Sequence, residues 1–169
     1  RSSAASDVYK RQTLRSHTDQ PVQLSSFQGK QNVVLFFMRT FTCAHCTYYV
    51  RQLAAHYAEI KAQDAEVLIL GIGDTREAQG LVRRLNTPFP VLNDPDGVTY
   101  EHFTLNRVLL SLVQPAATFL IDRQGMIRYS HRSTNPLEWL KISALTDTLA
   151  ALNITTAVSL TPSFPLSTS

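Results

Sequence analysis

The sequence predicts an α/β protein: a central, partly parallel mixed β-sheet flanked by amphipathic helices. Three observations carry this expectation. Residues 33–38 (VVLFFM) and 67–72 (VLILGI) are continuously apolar and β-rich, as strands covered on both faces are. The segments that follow them carry apolar residues at helical spacing. Near the end, two further strand-like runs flank the turn Asp122-Arg123-Gln124-Gly125, which adds antiparallel pairing.

In chain order, Val22-Gln23-Leu24 reads as a short strand that ends at the turn signals Ser25, Ser26 and Gly29. The run 33–38 is the first core strand. From Cys43 onward the period changes, and Cys46, Tyr49, Val50, Leu53, Tyr57 and Ile60 fall on one helical face, with Thr42 as the expected N-cap. The run 67–72 is the second core strand. Asp74 with Glu77 three residues on has the form of a capping box, and Ala78, Leu81, Val82 and Leu85 supply the next helix's apolar face up to Pro88. Val91-Leu92 is a short strand, followed by the turn Asp94-Pro95-Asp96-Gly97 and a short helix over 98–103. Strands are expected at 118–121 and 126–129. Asn135 and Pro136 read as N-cap and N1 of a last helix, with Ile142, Leu145, Leu149 and Leu152 inward.

Composition narrows the function classes. With 169 residues, 44% apolar and 17% charged, the chain has the makeup of one folded domain rather than a disordered segment. No apolar run approaches the roughly 18 residues of a membrane span. The formal charge is +3, but its source is local. Asp7-Val8-Tyr9-Lys10-Arg11-Gln12 matches the translated end of a transposon-based sequencing adaptor, so residues 1–12 are expected to lie outside the fold. Without them 13 basic and 12 acidic residues remain. The charge then points to no nucleic-acid partner. Residues 153–169 are rich in Ser, Thr and Pro and uncharged, and read as a loose tail. The expected domain is therefore 13–152. Asn153-Ile154-Thr155 has the form of a glycosylation sequon, which has meaning only in a secreted protein. The compartment stays open.

Both cysteines lie in Cys43-Ala44-His45-Cys46. A buried strand running into a short turn and then a helix would place Cys43 at the helix N-terminus, where unpaired N–H groups and the helix dipole favour an anion. The thiolate is the reactive form of cysteine. Cys46, one turn on, could attack an oxidised Cys43 and close a disulfide with little backbone movement. His45 and Arg39 could add positive charge. A zinc site would need two further ligands and fits poorly, so neither a metal nor another cofactor is expected beyond the redox-active pair Cys43–Cys46. Two inert cysteines spaced by chance remain the bland alternative.

The framework resembles the redoxins, the alkyl hydroperoxide reductase C/thiol-specific antioxidant branch of the thioredoxin fold, over about residues 19–150. The resemblance is carried by 22–30 (VQLSSFQGK), 36–46 (FFMRTFTCAHC), 89–97 (FPVLNDPDG) and 115–125 (PAATFLIDRQG), in that order. It implies a thioredoxin-like fold, Cys43 as the peroxidatic or nucleophilic cysteine, and Cys46 as the second cysteine of the pair. Thr40 matches the Thr of the P-x-x-x-T-x-x-C pattern, where its hydroxyl would orient peroxide or thiolate. Phe36 stands where that pattern has Pro. Pro115 resembles the cis-proline that faces the disulfide. Ala116 and Ala117 stand where an Arg normally precedes the strand, and Arg39 could replace its charge.

Three functions follow as alternatives. The first is a peroxiredoxin-like thiol peroxidase, re-reduced by a thioredoxin- or glutathione-type donor. The second is a thiol–disulfide oxidoreductase acting on protein disulfides, since His45 before the second cysteine is similar to the C-P-H-C of oxidising disulfide oxidases. The third is a redox-inert thioredoxin-fold binding module, against which the intact cysteines argue.

Overall fold

The computed structural model describes residues 12–103, 115–133 and 141–159. Residues 1–11 of the expected adaptor-derived stretch 1–12, the Asn135–Pro136 helix start and residues 160–169 of the expected tail lie outside them.

Seven strands form one mixed sheet in the order β2-β1-β5-β4-β3-β6-β7. They are β1 Thr13–Ser16, β2 Pro21–Gln23, β3 Asn32–Phe37, β4 Ala65–Gly71, β5 Val91–Asn93, β6 Ala116–Ile121 and β7 Ile127–Ser133. β3, β4 and β5 run parallel, while β6 pairs antiparallel with β3 and β7 antiparallel with β6. The helices are α1 Ala44–Ala55, α2 Tyr57–Ala62, α3 Thr75–Leu85, α4 Val98–His102 and α5 Ile142–Ser159, with a 3-10 turn at Leu24–Phe27. The mixed sheet flanked by helices is the expected class.

β3 is central and buried throughout, because its alternate side chains serve two separate cores. Val34, Phe36 and Met38 pack under α1, α3 and α5 with Val50, Leu53, Leu81, Leu145 and Leu149. Val33, Leu35 and Phe37 pack on the other face with Leu14, Leu24, Tyr100 and Phe103. Burying one such side chain contributes about 1.5–3 kcal/mol, so a continuous apolar run is what this position requires.

Several local expectations are corrected. β1, with the tight turn at Asp19 (φ 58°), pairs antiparallel with both β2 and β5; only Leu14 and Ser16 point inward, too short a pattern to register. Leu24 belongs to the 3-10 turn rather than to a strand. The face read as one helix from Cys46 to Ile60 is divided at His56, which ends α1 and opens α2 (φ −105°, ψ 12°). The inward residues are unchanged by the break. α3 ends at Asn86 in the left-handed region (φ 50°), before Pro88 is reached. The Asp74–Glu77 capping box is present in both directions.

The last helix continues through Ser159, so the boundary expected at 152 falls inside it. Asn153 explains the extension: its amide donates to the Gln63 carbonyl at 2.7 Å and accepts from Asn32 Nδ2 at 3.2 Å. These contacts tie the helix's middle to the start of β3. The sequon asparagine is therefore engaged in packing.

Candidate active site

β3 delivers the chain to the carboxyl end of the parallel strands, where it leaves the sheet between β4 and β6. In open α/β sheets this edge is where ligand sites form. Residues 38–43 make the crossing to α1, and three non-local contacts shape them. Phe41 is buried and its ring lies over Gly71 at the end of β4; a Cβ on Gly71 would overlap that ring. Arg84 of α3 donates to the Phe41 carbonyl at 2.9 Å. Met38 donates its N–H to the Leu70 carbonyl at 2.8 Å, extending the β3–β4 ladder by one bond.

Cys43, rather than Thr42, is the N-cap of α1, with extended backbone (φ −64°, ψ 115°). Its Sγ accepts the backbone N–H of Cys46 at 3.3 Å. A sulfur thus takes the position usually filled by a Ser, Thr or Asp oxygen. Cys43 is half-buried and Cys46 is buried at 3% exposure; both are free thiols. Cys46 Sγ accepts the Arg39 N–H at 3.4 Å, and the Cys43 side chain lies beside it. Burial, reinforced by the Cys43 contact, pushes the Cys46 thiol up to about 12, while the Arg39 amide and guanidinium oppose the shift. The pair is therefore asymmetric: an accessible sulfur at the helix start and a protonated sulfur behind it.

The other residues singled out in the sequence are placed less uniformly. Arg39 is half-buried, and its guanidinium donates to the Ser133 carbonyl at the end of β7, 3.0 Å away. Its charge is still felt at Cys46. Thr40 is exposed, and its hydroxyl pairs with that of Thr42 at 3.2 Å, while its carbonyl accepts the Cys43 N–H. His45 is exposed on the first turn of α1. Phe36, in the place of the pattern's Pro, is buried edge-on against Tyr49, with ring centroids 4.8 Å apart. Pro115 precedes β6, and the antiparallel register Phe37↔Ala117 puts it at the same sheet edge as Cys43. The bond that would carry its cis geometry joins it to residue 114, outside the described residues.

Sequence reasoning missed Phe41, Gly71, Arg84 and Tyr100. The first three form the wall of the loop, and Tyr100 reaches it from beneath. A glycine ending an apolar strand was the one available signal; nothing in the local sequence marks the others. Among the described residues, no group of three or more His, Cys, Asp or Glu side chains is arranged to hold a metal ion.

This fold and cysteine pair define a redoxin-type protein, and comparison with known proteins makes the assignment specific. The AhpC/TSA family model matches residues 6–130, and the chain belongs to that family. Among curated relatives, chloroplastic peroxiredoxin Q of Triticum aestivum is 24% identical over 121 residues, covering 72% of this chain and 55% of the relative. The chain thus spans about half the length of that relative. Among solved structures, Xanthomonas campestris peroxiredoxin Q aligns with a TM-score of 0.74 at 18% identity, covering 88% of this chain and 93% of that one. A secreted Mycobacterium tuberculosis disulfide oxidoreductase aligns with a TM-score of 0.66 at 23% identity, covering 86% and 98%. These structural likenesses establish the thioredoxin-like fold.

Proposed function

We propose that this protein is a peroxiredoxin-type thiol peroxidase with Cys43 as nucleophile and Cys46 as resolving cysteine. The observation that carries the reading is the asymmetry of the pair: Cys43 is half-exposed at the N-cap of α1, and Cys46 lies buried directly behind it. Membership of the AhpC/TSA family and similarity to peroxiredoxin Q support peroxide as the substrate class.

The Cys43 thiolate attacks one oxygen of the peroxide. The S–O bond forms, the O–O bond breaks, and the leaving oxygen takes a proton to depart as water or alcohol. Cys46 then attacks the Cys43 sulfenic sulfur, losing its thiol proton as water leaves, and the Cys43–Cys46 disulfide closes. An external thioredoxin- or glutathione-type thiol returns both sulfurs to the reduced state by exchange. No metal or organic cofactor enters the cycle.

A second reading, thiol–disulfide exchange on protein partners, has its own support. The Thr40 hydroxyl is paired with Thr42 and the Arg39 guanidinium with Ser133, so neither is committed to a peroxide at Cys43. The disulfide oxidoreductase likeness shows that this fold hosts such chemistry in another protein.

The two readings separate in one experiment. The reduced protein is mixed with one equivalent of hydrogen peroxide, or with a disulfide substrate, and followed by stopped flow and mass spectrometry. Fast formation of an intramolecular disulfide with peroxide supports the peroxidase. Slow peroxide reaction with fast disulfide exchange transfers the assignment to the second reading. No reaction with either would sink both.

A further inference from the structure

One peptide unit connects the buried interior to the site. The amide joining Met38 to Arg39 donates its N–H to Cys46 Sγ at 3.4 Å, and its carbonyl accepts the Tyr100 hydroxyl at 2.5 Å. A donor on the oxygen of an amide draws electron density through the conjugated C–N bond and makes its N–H a better donor. Tyr100, Met38–Arg39 and Cys46 therefore form a single line, O–H···O=C–N–H···S.

The structure holds Tyr100 firmly in this line. It is fully buried on α4, with its ring edge-on to Phe37 at 4.9 Å. The helix start is fixed by Gly97 in the left-handed region (φ 68°), and the buried Asp94 carboxylate accepts the N–H groups of Thr99 and Tyr100 at 2.9 and 3.3 Å. The hydroxyl also lies 3.0 Å from the Leu70 carbonyl, but it has one proton, and the shorter bond is to Met38. Burial, with Cys46 and Asp94 as the charged or titratable groups acting on it, holds the phenol well above its usual range and so protonated. Cys46 is itself faced by Cys43 and Arg39.

We propose that Tyr100 is a positioning residue for Cys46: through the Met38–Arg39 peptide it aims and strengthens the N–H that supports the Cys46 sulfur. The inference rests on the Cys43–Cys46 cycle proposed above. In that cycle Cys46 gives up its proton as the S–S bond forms and water leaves, so the N–H bond matters most where negative charge builds on sulfur. Tyr100 lies across the sheet from Cys43 and Cys46 and touches no substrate.

Tyr100→Phe keeps the ring and removes the donor. Disulfide closure after a peroxide pulse should slow about 3- to 10-fold, and the Arg39 amide proton should move upfield and exchange faster. At equilibrium with glutathione, loss of a bond made to the reduced sulfur should favour the disulfide about 3- to 10-fold, lowering the potential by about 15–30 mV. A purely structural tyrosine would lower the melting temperature and leave closure, potential and the Arg39 amide unchanged; that result overturns the proposal. If Tyr100→Phe fails to fold, 3,5-difluorotyrosine at position 100 supplies a stronger donor in the same ring. It should shift the Arg39 amide downfield and raise the potential, and no shift would be equally fatal. The amide and glutathione measurements need no peroxide turnover. A protein inert to peroxide would remove the peroxidase reading while these two still decide for or against Tyr100.

Discussion

Cys43 Sγ accepts the N–H of Cys46 at 3.3 Å, so the cysteine proposed to react first also caps the helix that carries the second. Reactivity and helix stability share one atom. Cys43→Ser should abolish peroxide- and disulfide-dependent thiol loss while keeping the cap, because a serine oxygen is a preferred N-cap group. Cys43→Ala should be equally inactive and also less stable by about 0.5–2 kcal/mol. Urea unfolding of the two variants checks the difference; equal stabilities would show that the sulfur cap contributes nothing.

The pair should also react in order. Cys43 is half-exposed, whereas Cys46 is buried and its thiol is held protonated by that burial. Limited alkylation of the reduced protein, mapped by peptide mass spectrometry, should modify Cys43 first and leave Cys46 largely intact until the protein is denatured. Preferential labelling of Cys46 would reverse the assigned roles.

The Cys46 shift carries a pH signature. Its folded value, about 12, lies above the ordinary 9.0, so the unfolded chain releases this proton first as pH rises. The neutral thiol's contribution to stability is then fully present below pH 9 and is lost between 9 and about 12. Comparing wild type with Cys46→Ala by denaturant unfolding, the stability advantage of the cysteine should shrink across that window. An advantage that grows with pH would contradict the burial assignment.

Gly71 is required by a close approach. A side chain there would overlap the Phe41 ring that shapes the loop before Cys43. Gly71→Ala should cost about 1–3 kcal/mol by overpacking and, by displacing Phe41, should slow thiol oxidation. Thermal unfolding and single-turnover oxidation test the two effects together. A fully stable variant with unchanged oxidation kinetics would show that the loop tolerates the displacement.

Asn153 joins the last helix to the start of β3 through Gln63 and Asn32. Asn153→Ala should lose about 1–3 kcal/mol as the buried Asn32 side chain and the half-buried Gln63 carbonyl lose this partner. Hydrogen exchange should accelerate over residues 153–159, while Cys43 oxidation stays unchanged. Unaltered protection there would mean that the helix end is held by something other than this side chain.

What the sequence determined by itself was set by near neighbours. The C-x-x-C at a strand–helix junction, the Asp74–Glu77 capping box and the two-faced core strand 33–38 depend on spacings of one to four residues, and each is found where the pattern put it. Even the errors were local in kind. Asn86 ended α3 before Pro88 could, and Cys43 took the cap expected of Thr42, because the thiol could reach the Cys46 N–H. Only the tertiary structure decided which groups meet the two sulfurs. Arg39, a candidate for thiol activation, sends its guanidinium to Ser133 on β7 and its backbone N–H to Cys46. Asn153, read as part of a loose tail, is locked by partners 90 and 121 positions away. Tyr100, in a stretch that carried no sequence signal for the site, binds Met38 from 62 positions away. Such contacts depend on strand order and on a buried group's need for a hydrogen-bond partner, and neither is written in the residues beside it.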